Sequence, residues 1–190
     1  NDTDSILEIK QTRNYIWCLN EGRNRLVLSA IDKMNKKKFR DVFLSDFDKD
    51  EDEKDSFYIS AYGVYKSYCD TEEWCAVFLR NINNDGPNRL IFFRPSAIKE
   101  NPIDMYNKQS TNNRKDIIIM DYVKGQKINL DGNIIIKKIS DTQYNLHAIN
   151  YKEDNKIVGE VKILKVLIQS LIIEDYKSIS TEIEFGDKNI

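Results

Sequence analysis

Apolar residues in this chain recur at alternate positions or in short runs, and clusters of turn-forming residues separate them. Residues 57–66 alternate in this way, which is typical of a β-strand with one face against a core. The turn-forming residues 83–88 join the apolar runs 74–79 and 89–93, and this arrangement predicts a β-hairpin. The middle of the chain therefore indicates antiparallel sheet.

The last third of the chain shows the same pattern. An Asp-Gly pair at 131–132 separates 128–130 from 133–136, and a charged turn separates 143–150 from 156–163. An Asp-Gly pair between apolar runs is a strong signal for a tight hairpin turn. We therefore predict two further hairpins here.

Consecutive hairpins predict an all-β or mainly β fold, built as an antiparallel β-sandwich or barrel. A chain of 190 residues has the usual size of one domain, so we expect a single β-rich domain over residues 1–190. At most one or two helices are expected. The candidate segments are 26–40 and 161–175, and the second has apolar residues at helical spacing.

Charge and composition exclude several classes of protein. Hydrophobic residues make up 41% of the chain and charged residues 32%, which describes an ordinary folded protein. The formal net charge is −2, whereas a nucleic-acid-binding protein usually has a basic surface. The basic residues in 33–40 are followed by an acidic stretch, 46–55, that would neutralise them. We therefore expect no nucleic-acid partner. No apolar run approaches the roughly eighteen residues of a membrane helix, so we also expect no membrane span.

The sequence offers few candidates for chemistry. Alternating aspartates in 46–52 superficially suit calcium, but Glu51 and Phe57 occupy the positions where a calcium loop needs glycine and glutamate. The single histidine, His147, lies on an alternating strand and should point outward, away from Tyr144 and Leu146. No nucleophile, nucleotide-binding or zinc motif accompanies it. We therefore assign no catalytic residue, no metal and no cofactor.

Three cysteines, Cys18, Cys69 and Cys75, bear on the cellular compartment. Cys69 and Cys75 are close enough in sequence to close a short loop, so we predict a disulfide between them. Pairing through Cys18 and three reduced, buried thiols are the alternatives. A disulfide, together with a chain that starts at Asn1 as it would after removal of a signal peptide, favours a secreted or periplasmic location.

Two segments are candidates for a binding surface. The polar loop 99–115 contains a few apolar residues, and the densest group of aromatic residues lies within 58–74. Exposed apolar and aromatic side chains are typical of protein interfaces. The alternatives are a loop that is pinned to the core and aromatic residues that pack within the sheet. The candidate binding residues are Ile103, Met105, Tyr106, Tyr62, Tyr65 and Trp74.

The absence of catalytic motifs, the β-rich pattern and the long polar loop favour a non-enzymatic, exported protein-binding module. Its partner would be another protein, as for an inhibitor, an immunity protein or a protein that binds a host factor. A β-barrel carrier of a small apolar ligand is the first alternative. A hydrolase that uses carboxylates is the second, although no carboxylate pair stands out.

Overall fold

The computed structural model describes residues 5–22, 25–39, 57–65, 72–81, 87–98, 115–122, 128–151 and 159–180. Within these ranges the chain forms β-strands almost throughout, together with one 3-10 helix at Pro95–Ile98. The strands belong to two sheets. The prediction of a mainly β fold of the sandwich or barrel type is therefore confirmed.

The smaller sheet contains four strands. They are β1 (Ser5–Gln11), β2 (Tyr15–Gly22), β3 (Arg25–Asp32) and β4 (Lys38–Phe39). They pair in sequence order, and every pair is antiparallel. Short turns between sequential strands account for this simple order.

The larger sheet contains eight strands. They are β5 (Phe57–Val64), β6 (Cys75–Asn81), β7 (Asn88–Phe93), β8 (Ile117–Tyr122), β9 (Leu130–Ser140), β10 (Gln143–Tyr151), β11 (Gly159–Leu167) and β12 (Ile172–Ser180). Their order is β12-β11-β10-β9-β5-β6-β7-β8. Two antiparallel meanders, β5–β8 and β9–β12, are joined by a short parallel ladder between β5 and β9. Some Cα atoms of β8 and β12 lie within 8 Å of each other, so the sheet is a nearly closed barrel.

The two segments that were candidates for helices, 26–40 and 161–175, are strands where the structure describes them. The first contains most of β3 and all of β4, and the second contains most of β11 and the start of β12. A turn at 168–171, in which Leu171 has a positive φ of 55°, joins β11 to β12. The apolar residues on either side of this turn match the spacing of a helix by coincidence. No helix that could cross a membrane occurs in the described ranges.

Two of the three predicted hairpins are confirmed, and one is misplaced. β6 pairs with β7, and β10 pairs with β11, as the sequence predicts. The Asp-Gly pair at 131–132 is not a hairpin turn but lies inside β9, beside a shift in its register with β10. Gly132 has a φ of 76°, which glycine adopts easily, so the pair forms a bulge rather than a turn.

The meander β5–β8 is buried on both faces. One face packs on the four-stranded sheet through residues such as Trp17, Val77 and Phe93. The other face packs on β9–β12 through residues such as Phe92 and Leu146. Strands that are buried on both faces need apolar residues at nearly every position, which is the pattern of β6 and β7. The fold therefore has three layers and two apolar cores.

The predicted Cys69–Cys75 disulfide is wrong. Cys75 is a free thiol with an exposed fraction of 0%, and Cys18 is also free and buried. Cys75 begins β6 and belongs to the core against the four-stranded sheet, where it acts as a small apolar residue. Burial raises the pKa of its thiol, with the Lys10 ammonium opposing that shift. Cys69 itself lies outside the described residues.

Candidate functional site

A cleft of about 230 Å³ lies where the four-stranded sheet meets one end of the larger sheet. Its walls come from the turn between β1 and β2, the residues just before β6 and the residues just after β7. The lining residues are Asn14, Tyr15, Glu72, Glu73, Arg94, Pro95 and Ser96. The cleft is therefore a junction of segments that are distant in sequence.

The first wall is the tight turn between β1 and β2. The Thr12 amide donates a hydrogen bond to the Tyr15 carbonyl at 2.9 Å, and the Thr12 hydroxyl lies 3.3 Å from the Tyr15 amide. Lys33 supports the turn, because its ammonium donates to the Thr12 carbonyl at 2.6 Å. The Asn14 amide is left pointing out of the turn, and it donates to Oε1 of Glu73 at 2.6 Å. This hydrogen bond joins the two sheets.

The opposite wall is formed by Arg94, between β7 and the 3-10 helix. Its guanidinium lies 4.5 Å from the centre of the Trp74 ring, within the range of a cation–π contact. Its Nη2 atom donates to Oε1 of Glu72 at 3.0 Å, and Oε2 of Glu72 accepts from the Tyr144 hydroxyl at 3.3 Å. The Arg94 side chain is therefore held in place by an aromatic ring and a carboxylate.

Two polar atoms of these walls are buried without a hydrogen-bond partner: Oε2 of Glu73 and Nε of Arg94. The Glu73 residue is only 7% exposed. Buried polar atoms are nearly always hydrogen-bonded, so each exception calls for an explanation. Both atoms lie within the walls of the cleft and have almost no solvent-accessible surface of their own.

Tyr15 contributes a neutral hydroxyl to the cleft. Burial is the main cause that raises the pKa of this phenol, and the negative charges of Asp32 and Glu73 raise it further. The ring is 6% exposed. Tyr15 therefore stays protonated across the physiological range and adds a mostly apolar surface.

The structure separates the aromatic residues that the sequence grouped together. Trp74 lies beneath Arg94, its ring stacked on Phe92 with centroids 4.5 Å apart, and Tyr65 packs edge-on against Tyr144 at 5.5 Å. Tyr62 lies elsewhere, in the core against the four-stranded sheet. Tyr62 and Trp74 are each only 1% exposed, so they do not form an exposed aromatic surface. Both pack inside the protein, as the alternative interpretation of this segment expects. Their role in binding stays a prediction.

Both predicted binding segments adjoin the cleft. The described chain stops at Ile98, at the end of the 3-10 helix, and resumes at Lys115. The Arg94 amide donates to the Asp116 carbonyl at 2.8 Å, so the two ends of the loop lie beside the cleft. Ile103, Met105 and Tyr106 lie outside the described residues.

Sequence reasoning missed the residues that form the cleft. Asn14 and Glu73 are 59 positions apart, and no motif or spacing connects them. The only available signal was the position of Glu73 and Arg94 at the ends of apolar runs, where polar side chains lie near a sheet edge. Neither residue carries a recognisable motif.

His147 points outward, as the sequence predicts. Tyr144, Leu146 and Ala148 on the same strand are buried, whereas His147 is partly exposed. Partial burial lowers its pKa, and the nearby Lys137 ammonium lowers it further. In the described ranges no group of three or more His, Cys, Asp or Glu residues is placed to hold a metal ion.

Comparison of this chain with known protein families, with curated proteins and with solved structures finds no match. The geometry of the cleft is therefore the basis for a functional argument.

Proposed function

We propose that this chain is a non-enzymatic protein-binding module whose partner inserts one residue into the cleft. The observation that supports the proposal most is the Glu73 carboxylate, which is buried in the cleft with one oxygen unpaired. An unpaired buried polar group costs about 1–3 kcal/mol. A partner whose insertion moves the atoms that cover this oxygen, and that donates a hydrogen bond to it, would recover that free energy.

The size of the cleft supports a protein partner over a free small molecule. Sites for small molecules usually measure about 300–1,000 Å³, and this cleft measures about 230 Å³. That volume suits a single side chain or peptide unit. The remaining contact area of a protein partner would come from the surface around the cleft.

The surroundings of the cleft support the same proposal. Glu72 and Glu73, which line the cleft, belong to the predicted binding segment 58–74. The described residues next to the predicted loop 99–115 also lie by the cleft wall, because the Arg94 amide donates to the Asp116 carbonyl and Ile98 ends the same 3-10 helix as Ser96. A partner that is anchored in the cleft would therefore lie near the points where the chain enters and leaves this loop.

The interior of the barrel gives the carrier alternative less support. Side chains of the described residues pack together between β5–β8 and β9–β12, and they include Trp74, Phe78, Phe92 and Tyr144. Barrels of this size are often filled by their own side chains. For the hydrolase alternative, both oxygens of Glu72 are already engaged in hydrogen bonds, from Arg94 and from the Tyr144 hydroxyl.

The type of partner and the location outside the cytoplasm stay predictions. An inhibitor, an immunity protein and a protein that binds a host factor would all use a cleft of this kind. The free Cys75 thiol removes the disulfide argument for export. Cell fractionation with an antibody against the chain tests the location.

Site-specific photo-crosslinking tests the proposal. Benzoylphenylalanine is placed at position 96, because Ser96 is exposed on the cleft wall. The control has the same residue at position 137, because Lys137 is exposed on β9 and does not line the cleft. We expect a covalent adduct with one protein of the source organism from position 96 and not from position 137. Adducts of equal yield from both positions, or from position 137 alone, or from neither would overturn the proposal.

A further inference from the structure

We infer that the outer face of β9–β12 binds a second copy of this chain, so that two barrels pack sheet against sheet. The residues that line the cleft all lie elsewhere, so this surface goes beyond the proposed function. Two observations support it: an exposed apolar patch on the face, and opposite charges that a two-fold axis brings together.

The strand register shows which side chains point outward from β9–β12. On β10, Leu146 and Ala148 belong to the core, so the alternate residues His147 and Ile149 point outward. Directly paired residues of neighbouring strands point to the same side of a sheet. The apolar residues that share the outer face through this pairing are Ile135 on β9, Val161 and Ile163 on β11, and Ile179 on β12.

The side chains of this group form an apolar patch that reaches solvent. Ile135 is 53% exposed, and Ile149 and Ile179 are each 42% exposed. Side chains of directly paired residues lie about 5 Å apart, so the members of the patch are neighbours. A contiguous apolar patch is typical of an interaction surface, whereas apolar residues that are scattered singly over a surface are normal.

The size of the face suits a sheet-on-sheet interface. Four strands with a spacing of about 4.8 Å are about 19 Å wide, and nine residues that rise about 3.3 Å each span about 30 Å. The flat area is therefore roughly 570 Å², and the side chains raise the accessible area above this value. Because a standard interface buries about 800 Å² on each partner, one such face supplies about the area that a stable dimer needs.

Charges at the two edges of the face favour a second copy as the partner. Lys137 on β9 and Glu174 on β12 lie at opposite ends of one row across the face, and both are exposed. A two-fold axis parallel to the strands, between β10 and β11, places β9 of one copy over β12 of the other. Lys137 of each copy then faces Glu174 of the other copy. At the centre, Ile149 of one copy lies over Val161 of the other.

A two-fold axis across the strands fits this face less well. It would place each strand over the same strand of the second copy. Lys177 lies in the row of His147, through the middle of the patch, and would therefore face Lys177 of the second copy. Like charges that face each other oppose association. The axis parallel to the strands keeps the two Lys177 residues about three strand spacings apart, or roughly 14 Å.

Sedimentation velocity of the full chain tests the dimer over about 1–100 μM. We expect dimer formation with a Kd of about 10 μM or tighter, as for the weaker interfaces of standard size. Ile149→Asp should raise this Kd about thirtyfold or more, because the charge enters the interface in both copies. Ile9→Asp is the matched control, because Ile9 is 58% exposed on β1 of the other sheet. It should change the Kd by less than about threefold.

Exchanging the two edge charges tests the orientation of the copies. In Lys137→Glu a carboxylate faces Glu174 of the second copy, and in Glu174→Lys an ammonium faces Lys137. Each variant should raise the Kd about tenfold or more. The double variant should return it to within about threefold of the original value, because the pair is restored with its charges exchanged. A general loss of folding does not produce this rescue, and circular dichroism verifies that each variant is folded.

Three results would overturn the inference: a chain that stays monomeric up to about 100 μM, a dimer that Ile149→Asp leaves intact, or single charge variants that the double variant does not rescue. If a monomeric chain binds lipid vesicles or a different protein through Ile149, the face belongs to that partner and the inference fails.

Crosslinking separates this dimer from the partner expected at the cleft. Benzoylphenylalanine at position 137 lies within the dimer interface, so it should join two copies of the chain in an adduct of twice the chain's mass. The partner expected at position 96 is a different protein, and mass spectrometry distinguishes the two adducts. A self-adduct from position 137 is therefore not counted in the test of the cleft. No self-adduct from this position in a sample that sediments as a dimer would contradict the proposed face.

Discussion

At Gly63 the backbones of β5 and β9 approach so closely that adding one methyl group there should have a large effect on stability. β5 and β9 pair only through Ala61 with Gly132 and Tyr62 with Asn133. A Cβ atom on Gly63 would lie 1.7 Å from the carbonyl oxygen of Ile134 and 2.7 Å from its carbonyl carbon. Both are backbone atoms, so no side-chain rotation relieves the clash.

The magnitude follows from the size of this clash. Ordinary contact begins at 3.4 Å, so the two strands would have to separate by roughly 1.7 Å. Backbone hydrogen bonds keep their strength only near their usual length of about 2.9 Å, so the short ladder would break. Overpacking costs about 1–3 kcal/mol, and each lost hydrogen bond costs roughly 0.5–1.5 kcal/mol more. We expect Gly63→Ala to lower the free energy of unfolding by about 2 kcal/mol or more.

Urea unfolding monitored by tryptophan fluorescence and circular dichroism measures this change. Gly132→Ala is the matched control, because Gly132 has a φ of 76° but nothing within 4 Å of the added Cβ. The left-handed conformation alone should cost roughly 1–2 kcal/mol there. If the free energy of unfolding of Gly63→Ala lies within about 0.5 kcal/mol of that of the unmodified chain, β5 and β9 do not approach as closely as the structure places them.

Three further predictions concern residues outside this junction. Cys75 should react with a thiol reagent at a measurable rate only after unfolding, because its thiol is buried and burial raises its pKa; fast labelling of the folded chain at neutral pH would contradict its position. Trp74→Ala should lower the free energy of unfolding by about 3–5 kcal/mol in urea titrations, since the ring is stacked on Phe92 in the core, and a loss below about 1 kcal/mol would refute that packing. The pKa of His147 is lower in the folded chain than in the unfolded chain. The unfolded chain therefore takes up this proton first as the pH falls, and the free energy of unfolding decreases between the ordinary pKa and the lowered folded-state pKa. Melting curves of His147→Gln should lack this part of the acid dependence, and an unchanged profile would show that His147 does not contribute.

The fold could be predicted from sequence where alternation and turn residues act locally. The pattern of residues 57–66 predicts a strand, and β5 forms there, although residues 61–64 are buried in succession because both faces of this part of the strand are covered. The errors arose where tertiary structure decides. The apolar residues around the turn at 168–171 match a helix equally well, because spacing alone does not show that Leu171 reverses the chain. The Asp-Gly pair suits a turn and a bulge alike, and only its pairing with β10 distinguishes them.

The candidate site could not be predicted because it depends on the docking of two sheets. Glu73 becomes a buried, half-satisfied carboxylate only when the β1–β2 turn brings the Asn14 amide to it. In the sequence the same glutamate is one of 31 acidic residues, and nothing distinguishes it. Cys75 shows the same limit, because its spacing from Cys69 suggested a loop whereas its place in β6 directs it to the core.

The three-layer arrangement explains why a cleft exists at this position. Much of β5–β8 is buried on both faces, so most of its polar side chains lie near the ends of its strands. Glu72, Glu73 and Arg94 lie at one such end, where the four-stranded sheet contributes only a tight turn. The turn covers Glu73 without pairing both of its oxygens, because Asn14 offers it a single backbone donor. A sheet that covered this end fully would have satisfied the carboxylate and closed the cleft. The partial cover therefore explains both the buried, half-satisfied carboxylate of Glu73 and the open cleft beside it.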